Sequence, residues 1–315
     1  MIVTLTANPS LDRTLEIPGL ARGSVIRAVG SRTEPGGKGV NLSRVLAANG
    51  HRTLAVLPSG GGVGARLTEL LAPQGVEVVE VPVAGGVRVN ISAVEPDGTV
   101  TKINAPGPRL TPAEAETLAV AACAAATGAS WLVLAGSLPP GLPDTFYAHL
   151  VVRLRGAGPV RIAVDSSGPP LAAALSSGPD LVKPNRAELA EAAGRPVTTL
   201  GEALSAARLL LRRGAHSVLA SLGADGALLV GADGTFFGEA LVGEPRSTVG
   251  AGDALLAGYL AAGTPGPDAL AEALAWGAAA VALPGSRMPG RADVDRSSVR
   301  LYRRIDPDRP LTERT

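Results

Sequence analysis

Short apolar runs alternate with helix-like stretches along most of this chain, and that alternation leaves few folds open. After an opening strand in MIVTLTANPS, strand-like runs fall at 52–57, 76–81, 131–135, 161–165 and 217–221, with a short strand at 181–182. Helical patterns lie between them at 39–49, 65–73, 112–126, 143–155 and 200–213, several opening with Pro or a polar cap and closing at Gly. Repeated strand–helix units predict an α/β fold, with a mostly parallel sheet covered by helices on both faces.

Two segments, 11–34 and 86–104, break the alternation: they switch polar and apolar residues with no helix between. In the second, Val89-Asn90-Ile91-Ser92-Ala93-Val94 meets 99–103 across Glu95-Pro96-Asp97-Gly98, and the Asp-Gly step signals a hairpin. Together they read as a small β lid over a site. Residues 1–305 are expected to form one domain. The stretch 287–314, rich in Arg but interleaved with Asp and Glu, reads as a solvated terminal helix whose last residues, 306–315, fray.

Composition narrows the partners. A net charge of +1 with 18% charged residues gives no basic face for nucleic acid and no membrane-binding surface. The stretch 117–143 carries no charge, but it is broken at Thr127-Gly128 and reads as a buried helix followed by a central strand. The start lacks the basic and apolar regions of a signal peptide, so a cytoplasmic protein is expected. Cys123 is the single cysteine, which excludes an internal disulfide.

The sharpest motif is Ser247-Thr248-Val249-Gly250-Ala251-Gly252-Asp253, leading into an apolar helix at 254–262. Its glycines let bare N–H groups turn one way at a helix start, where anions bind. A carboxylate there repels a simple phosphate ligand. It fits if an acceptor hydroxyl sits between Asp253 and a transferring phosphoryl group, the carboxylate taking the proton and the amides holding the oxygens. The alternative is an Asp that merely caps the helix.

Three other clusters open helices or close strands. Gly36-Gly37-Lys38-Gly39-Val40-Asn41 allows close ligand approach, with Lys38 and Asn41 as donors; otherwise it is a glycine turn with an exposed lysine. Lys183-Pro184-Asn185-Arg186-Ala187-Glu188 puts Asn185 and Glu188 on one helix face, fit for hydrated Mg²⁺ or for a capping pair, two readings that are compatible. Asn8-Pro9-Ser10-Leu11-Asp12 ends the first strand, and Ala135-Gly136-Ser137-Leu138-Pro139-Pro140-Gly141 follows a later one. Ligands of open α/β sheets bind at such carboxyl ends. No Cys/His metal constellation, Gly-x-Ser-x-Gly elbow or dinucleotide fingerprint is present.

In order and over roughly residues 1–305, these motifs resemble the ribokinase-like sugar kinase family, specifically its phosphofructokinase B branch. The resemblance implies Asp253 as catalytic base, with the amides of Gly250, Ala251 and Gly252 as an anion hole. It implies ATP held by Lys183, Asn185, Ser221, Gly223, Gly226 and Thr248, and Mg²⁺ organised by Asn185 and Glu188, in part through water. Sugar positions map to Asp12, Gly37, Lys38 and Asn41. Arg27, Arg88 and Ser137 look like the phosphosugar branch, since Arg grips phosphate bidentately. A surface Arg on a lid strand is the other reading of Arg88.

The runs Asn-Pro-Ser-Leu-Asp and Ser-Thr-Val-Gly-Ala-Gly-Asp are most similar to the 1-phosphofructokinases of this branch. The implied reaction is phosphorylation of fructose 1-phosphate at its 6-hydroxyl, with tagatose 6-phosphate or fructose 6-phosphate as the alternative substrate. A non-catalytic sugar- or nucleotide-binding regulator and an NAD-linked dehydrogenase are the rivals from other classes. The expected partners are ATP and a sugar phosphate, with no nucleic acid or membrane. A homodimer through the lid is open, as is a monovalent cation.

Overall fold

The computed structural model describes residues 1–156 and 158–312. The chain opens with β1 (Ile2–Thr6), β2 (Ser10–Glu16), β3 (Gly30–Gly36), α1 (Lys38–Ala48), β4 (Thr53–Ser59), α2 (Gly61–Leu71) and β5 (Glu77–Pro82). It continues through β6 (Arg88–Val94), β7 (Val100–Ile103), α3 (Pro112–Ala126), β8 (Trp131–Ala135), α4 (Phe146–Leu154), β9 (Arg161–Asp165) and α5 (Gly168–Ser176). Then come β10 (Leu181–Val182), α6 (Arg186–Ala193), α7 (Leu200–Arg212), β11 (Val218–Ser221), β12 (Ala227–Gly231) and β13 (Gly234–Ala240). The last elements are α8 (Ala251–Ala261), α9 (Pro267–Val281) and β14 (Val299–Tyr302).

The large sheet runs in the order β14-β13-β12-β11-β10-β9-β8-β1-β4-β5. From β11 to β5 every pairing is parallel, whereas β12, β13 and β14 join as antiparallel strands at one edge. Alternation along each strand sends side chains to opposite faces. Val3, Leu5, Leu132 and Leu134 pack in one core with Leu118, Tyr147, Leu175, Leu189 and Leu210 from α3 to α7. Ile2, Trp131 and Val133 pack in the other with Leu42 of α1, Leu256 of α8 and Trp276 of α9. Helices therefore cover both faces, as the apolar runs predict.

The second sheet has the order β3-β2-β6-β7. Its central pair, β2 and β6, is parallel and in register from Ser10 opposite Arg88 to Glu16 opposite Val94. The Asp-Gly hairpin forms as predicted: Gly98 adopts φ 88°, and Asp97 accepts from the amide of Thr99 at 2.9 Å. Both expected lid segments thus meet in one sheet.

Several elements depart from the sequence reading. Helix α2 starts at Gly61, four residues before the expected 65, because the glycine run at 60–64 is helical start rather than loop. A Cβ on Gly60 would strike the carbonyl oxygen of Val83 at 2.5 Å, so small residues are required there. Helices α5 and α9 and the antiparallel edge were not anticipated.

The terminal segment corrects the expectation of a terminal helix that frays. Val299–Tyr302 is a strand on β13, and Leu311, 4% exposed, donates its amide to Thr198 O at 2.8 Å. The apolar Leu311 side chain and the free edge of β13 both gain by docking, which holds the segment down as far as Thr312. Residues 313–315 of the expected frayed end lie outside the described residues. Among the described residues no helix is long and apolar enough to cross a membrane.

Candidate active site

Because the strands from β11 to β5 run parallel, their carboxyl ends form one edge. The ends of β1, β8, β9, β10 and β11 reach it, and the starts of α1, α6 and α8 follow such ends or the second sheet. Nearly all the motif residues gather here. A cavity of about 540 Å³ lined by His51, Trp276, Glu272 and Arg296 contains none of them.

At the start of α8, Gly250 takes the left-handed φ of 77°, and the first helical bond runs from Ala254 to Gly250 O at 2.8 Å. Of the amides before it, that of Ala251 makes a long bond to Thr248 O at 3.4 Å, and the rest are the free donors of a first turn. A Cβ on Gly252 would sit 3.3 Å from Lys183 Nζ, so the ammonium lies directly over this turn. Asp253 does not cap its own helix. Its side chain, 8% exposed, instead accepts from Asn41 Nδ2 of α1 at 2.9 Å through Oδ2. Burial first and the charge of Asp165 second push its carboxyl from the usual 3.8 up to about 6. The Asn41 hydrogen bond and the ammonium groups of Lys183 and Lys38 act the other way.

Asp165, the residue that ties this cluster together, was not singled out by sequence reasoning. It closes β9, is 1% exposed, and faces Lys38 Nζ at 2.7 Å and Lys183 Nζ at 3.3 Å. Lys38 also lies 3.8 Å from Glu188. Burial alone would lower the pKa of Lys38, but Asp165, Glu188 and Asp253 together hold it above its ordinary value. The available signal was a charged residue ending an otherwise apolar parallel strand.

Asn185 and Glu188 form a capping box on α6: Glu188 Oε2 accepts from Asn185 N at 2.8 Å, and Asn185 Oδ1 from Glu188 N at 2.9 Å. The capping reading of this pair is therefore realised. Glu188 Oε1 still points to Lys38, and among the described residues no three acidic, His or Cys side chains form a metal cage. That donor set suits Mg²⁺, which keeps most of its water and shares substrate phosphates. Ser221 bridges to Asn185, and after it Gly223 (φ 70°) and Gly226 (φ 91°) flank a tight turn. Thr248 stands on the loop into α8.

On the side of the second sheet, Asp12 accepts from Ser10 Oγ at 2.7 Å and from Asn90 Nδ2 at 2.9 Å. Asn90 is a further residue whose part was not read from sequence. Gly37 (φ 112°) lets the chain pass Thr6, whose methyl would lie 2.8 Å from a Cβ there. Arg88 donates to the carbonyls of Ala105 at 2.9 Å and Asn8 at 3.0 Å. Burial lowers its pKa, against the opposing charge of Asp12. Ser137 Oγ accepts from Asn8 Nδ2 at 3.4 Å. Three buried polar atoms at this place, Thr6 Oγ1, Asn8 Oδ1 and Arg88 Nε, have no hydrogen-bond partner among the described residues. Arg27 is not brought to these residues by any contact: it is exposed on the loop between β2 and β3, with no hydrogen bond or ion pair among the described residues.

Comparisons with known proteins show the family. The family model for pfkB family carbohydrate kinases matches residues 6–291. A 1-phosphofructokinase of Rhodobacter capsulatus is 39% identical over 279 residues, covering 86% of each chain. One of Haloferax volcanii is 38% identical over 298 residues, covering 93% of this chain and 95% of its own. The crystal structure of phosphofructokinase-2 from Escherichia coli in complex with substrates and products superposes with a TM-score of 0.87 at 34% identity, covering 93% of this chain and 96% of that one. With a ribokinase-like α/β fold and a family match over most of its length, the chain belongs to the pfkB family of carbohydrate kinases, phosphotransferases with an alcohol acceptor.

Proposed function

We propose that this kinase transfers the γ-phosphoryl group of ATP to the 6-hydroxyl of fructose 1-phosphate, giving fructose 1,6-bisphosphate and ADP. The observation that carries the reading is Asp253, a buried carboxylate at a glycine-flanked helix start, held by Asn41 and faced by two lysines. The names of the two relatives above support the choice of fructose 1-phosphate.

Asn41 occupies Oδ2 of Asp253, which leaves Oδ1 as the basic atom. The sugar oxygen bonds to the γ-phosphorus as the bond to the bridging oxygen breaks. ADP leaves with that electron pair, and the hydroxyl proton passes to Asp253. The amides of Gly250, Ala251 and Gly252, with Lys183 above them, hold the charge on the transferring group. ATP lies along the carboxyl edge against Lys183, Asn185, Thr248 and the turn from Ser221 to Gly226. Glu188, with Asn185, would hold a hydrated Mg²⁺ that neutralises phosphate charge.

Asp12 and Asn41 orient the sugar, with Gly37 giving it room, and Lys38, Arg88 and Ser137 take its phosphate, which Arg27 joins only if the loop between β2 and β3 moves inward on binding. The segments 11–34 and 86–104 act as a lid on a single kinase domain of residues 1–305 in the cytoplasm. The lid also carries exposed apolar side chains, among them Val25 at 83%, Val29 at 80% and Ile103 at 61%. Such a face fits burial against a second copy, a homodimer through the lid.

ADP release measured with MgATP and a panel of fructose 1-phosphate, fructose 6-phosphate, tagatose 6-phosphate, fructose and ribose tests the reading. A clear preference for fructose 1-phosphate is the expected result. Preference for a 6-phosphate moves the reading to a 6-phosphofructokinase or tagatose-6-phosphate kinase, and activity on unphosphorylated sugars alone overturns the phosphate contacts.

A further inference from the structure

The turn at Gly223–Asp225 is held from outside by residues far along the chain. Asp225, 8% exposed, accepts from the amide of Thr312 at 2.9 Å and from its hydroxyl at 2.7 Å, one carboxylate oxygen for each. The carbonyl of the same Thr312 accepts from Arg186 Nη1 at 2.6 Å, and Arg186 follows Asn185 at the start of α6. Thr312 thus ties the loops after β10 and β11 a second time, beside the direct bond from Ser221 N to Pro184 O at 3.0 Å.

The segment leading to Thr312 is tied down along its length. Pro307 O and Arg309 O accept from Gly201 N and Leu200 N, each at 2.9 Å, and Leu311 N donates to Thr198 O at 2.8 Å. Gly201 is suited to this approach, since a Cβ there would lie 2.7 Å from the carbonyl oxygen of Pro307. Arg309 pairs with Glu239 of β13, and Leu311 is buried in the main core. These contacts make residues 307–312 a strap with a fixed end at Asp225.

We propose that this strap is a positioning element for the nucleotide: Thr312 holds the 221–226 turn and the start of α6 at the spacing that a nucleoside triphosphate requires. The inference rests on the reading of that turn as part of the ATP site. The turn closes on itself through Leu222 N to Gly226 O at 2.8 Å, between glycines with φ of 70° and 91°, and the carboxylate clamp with its two donors adds a restraint from outside. Its effect is specific to one substrate, because no strap contact reaches Asp12, Arg88 or the second sheet.

The test compares KM for ATP, KM for the sugar phosphate, kcat and melting temperature in Asp225→Asn, in Thr312→Val and in a chain ended at Leu311. We expect KM for ATP to rise at least fivefold in Asp225→Asn and in the shortened chain, with KM for the sugar phosphate and kcat within twofold. Thr312→Val keeps the backbone donor, so its rise is smaller; it decides the question if the other two do not fold. Lower melting temperatures with KM for ATP unchanged would reduce the strap to structural support and overturn the proposal. Ala224→Glu, at an exposed position on the turn, separates the two readings. A raised KM for ATP in Ala224→Glu without one in the strap variants overturns the strap alone, whereas an unchanged KM in Ala224→Glu removes the nucleotide turn on which it rests.

Discussion

Asn41 donates its side-chain amide to Oδ2 of Asp253 at 2.9 Å, joining α1 to α8 in a contact closed to solvent. The bond selects one oxygen of the carboxylate as acceptor of a fixed donor and leaves the other for chemistry. Asp253→Asn keeps the shape and loses the basic oxygen. Its kcat should fall by about 10²- to 10⁴-fold, the range for loss of a general base. Calorimetric affinity for the sugar phosphate should change less than threefold. Turnover equal to that of the parent would remove Asp253 from the role.

The pH profile follows from the same carboxylate. It must be ionised to accept a proton, and its pKa in the free protein is raised to about 6, so kcat/KM should decline on an acid limb near pH 6. Asn41→Ala removes a donor that favours the ionised form, and the limb should move to higher pH. A limb that stays in place in Asn41→Ala would show that another group governs it.

Stability should move opposite to activity. The folded pKa of Asp253 lies above its ordinary 3.8, so between 3.8 and about 6 the native state binds more protons than the unfolded one. Stability on this account declines as pH rises through that window and stays lower above it. Asp253→Asn should therefore stabilise the fold at pH 7 by up to about 3 kcal/mol, at 1.36 kcal/mol per pH unit. Melting curves at pH 7 and pH 4 check this, since the gain should vanish at pH 4.

Asp165→Asn should damage both fold and catalysis. It leaves Lys183, 4% exposed, and Lys38 without their closest counter-charge. Removing one partner of a buried ion pair costs about 3 kcal/mol or more. Denaturant unfolding would read that loss. A drop of less than about 1 kcal/mol would mean that the lysines find other partners.

The exposed apolar residues of the lid, Val25 and Val29 on the loop between β2 and β3 and Ile103 on β7, predict association. Val25→Asp combined with Ile103→Asp should shift sedimentation from dimer to monomer, because each places a charge on a surface that a partner copy would bury. A parent chain that sediments as a monomer at micromolar concentration would dispose of the lid dimer.

The parallel core was legible because Val3, Leu5, Leu132 and Leu134 belong to continuous apolar runs that only doubly covered strands need. The motif at Gly250–Asp253 was legible because glycine spacing at a helix start has few uses; whether Asp253 capped its helix or faced inward was not. That depended on Asn41, 212 residues away, and no local pattern encodes such a pairing. Asp165 escaped for the same reason, as its lysine partners come from separate helix and strand ends. The terminal segment was misread because Arg and Asp at 303–309 look solvated in sequence, while the β13 edge that captures 299–302 and the core that takes Leu311 are visible only in the fold.

The parallel pairing of β2 with β6 brings together residues 78 positions apart, such as Asp12 and Asn90. Between them the chain must first complete α1, β4, α2 and β5. The large sheet closes a longer loop still, with Ile2 opposite Trp131, but its strands are buried on both faces, whereas the second sheet leaves Val89, Val100 and Ile103 exposed and has less core to hold it. Mild denaturant should therefore free this sheet while the ten-stranded one persists. Half of the residues placed around the sugar go with it, so the enzyme falls silent before it unfolds.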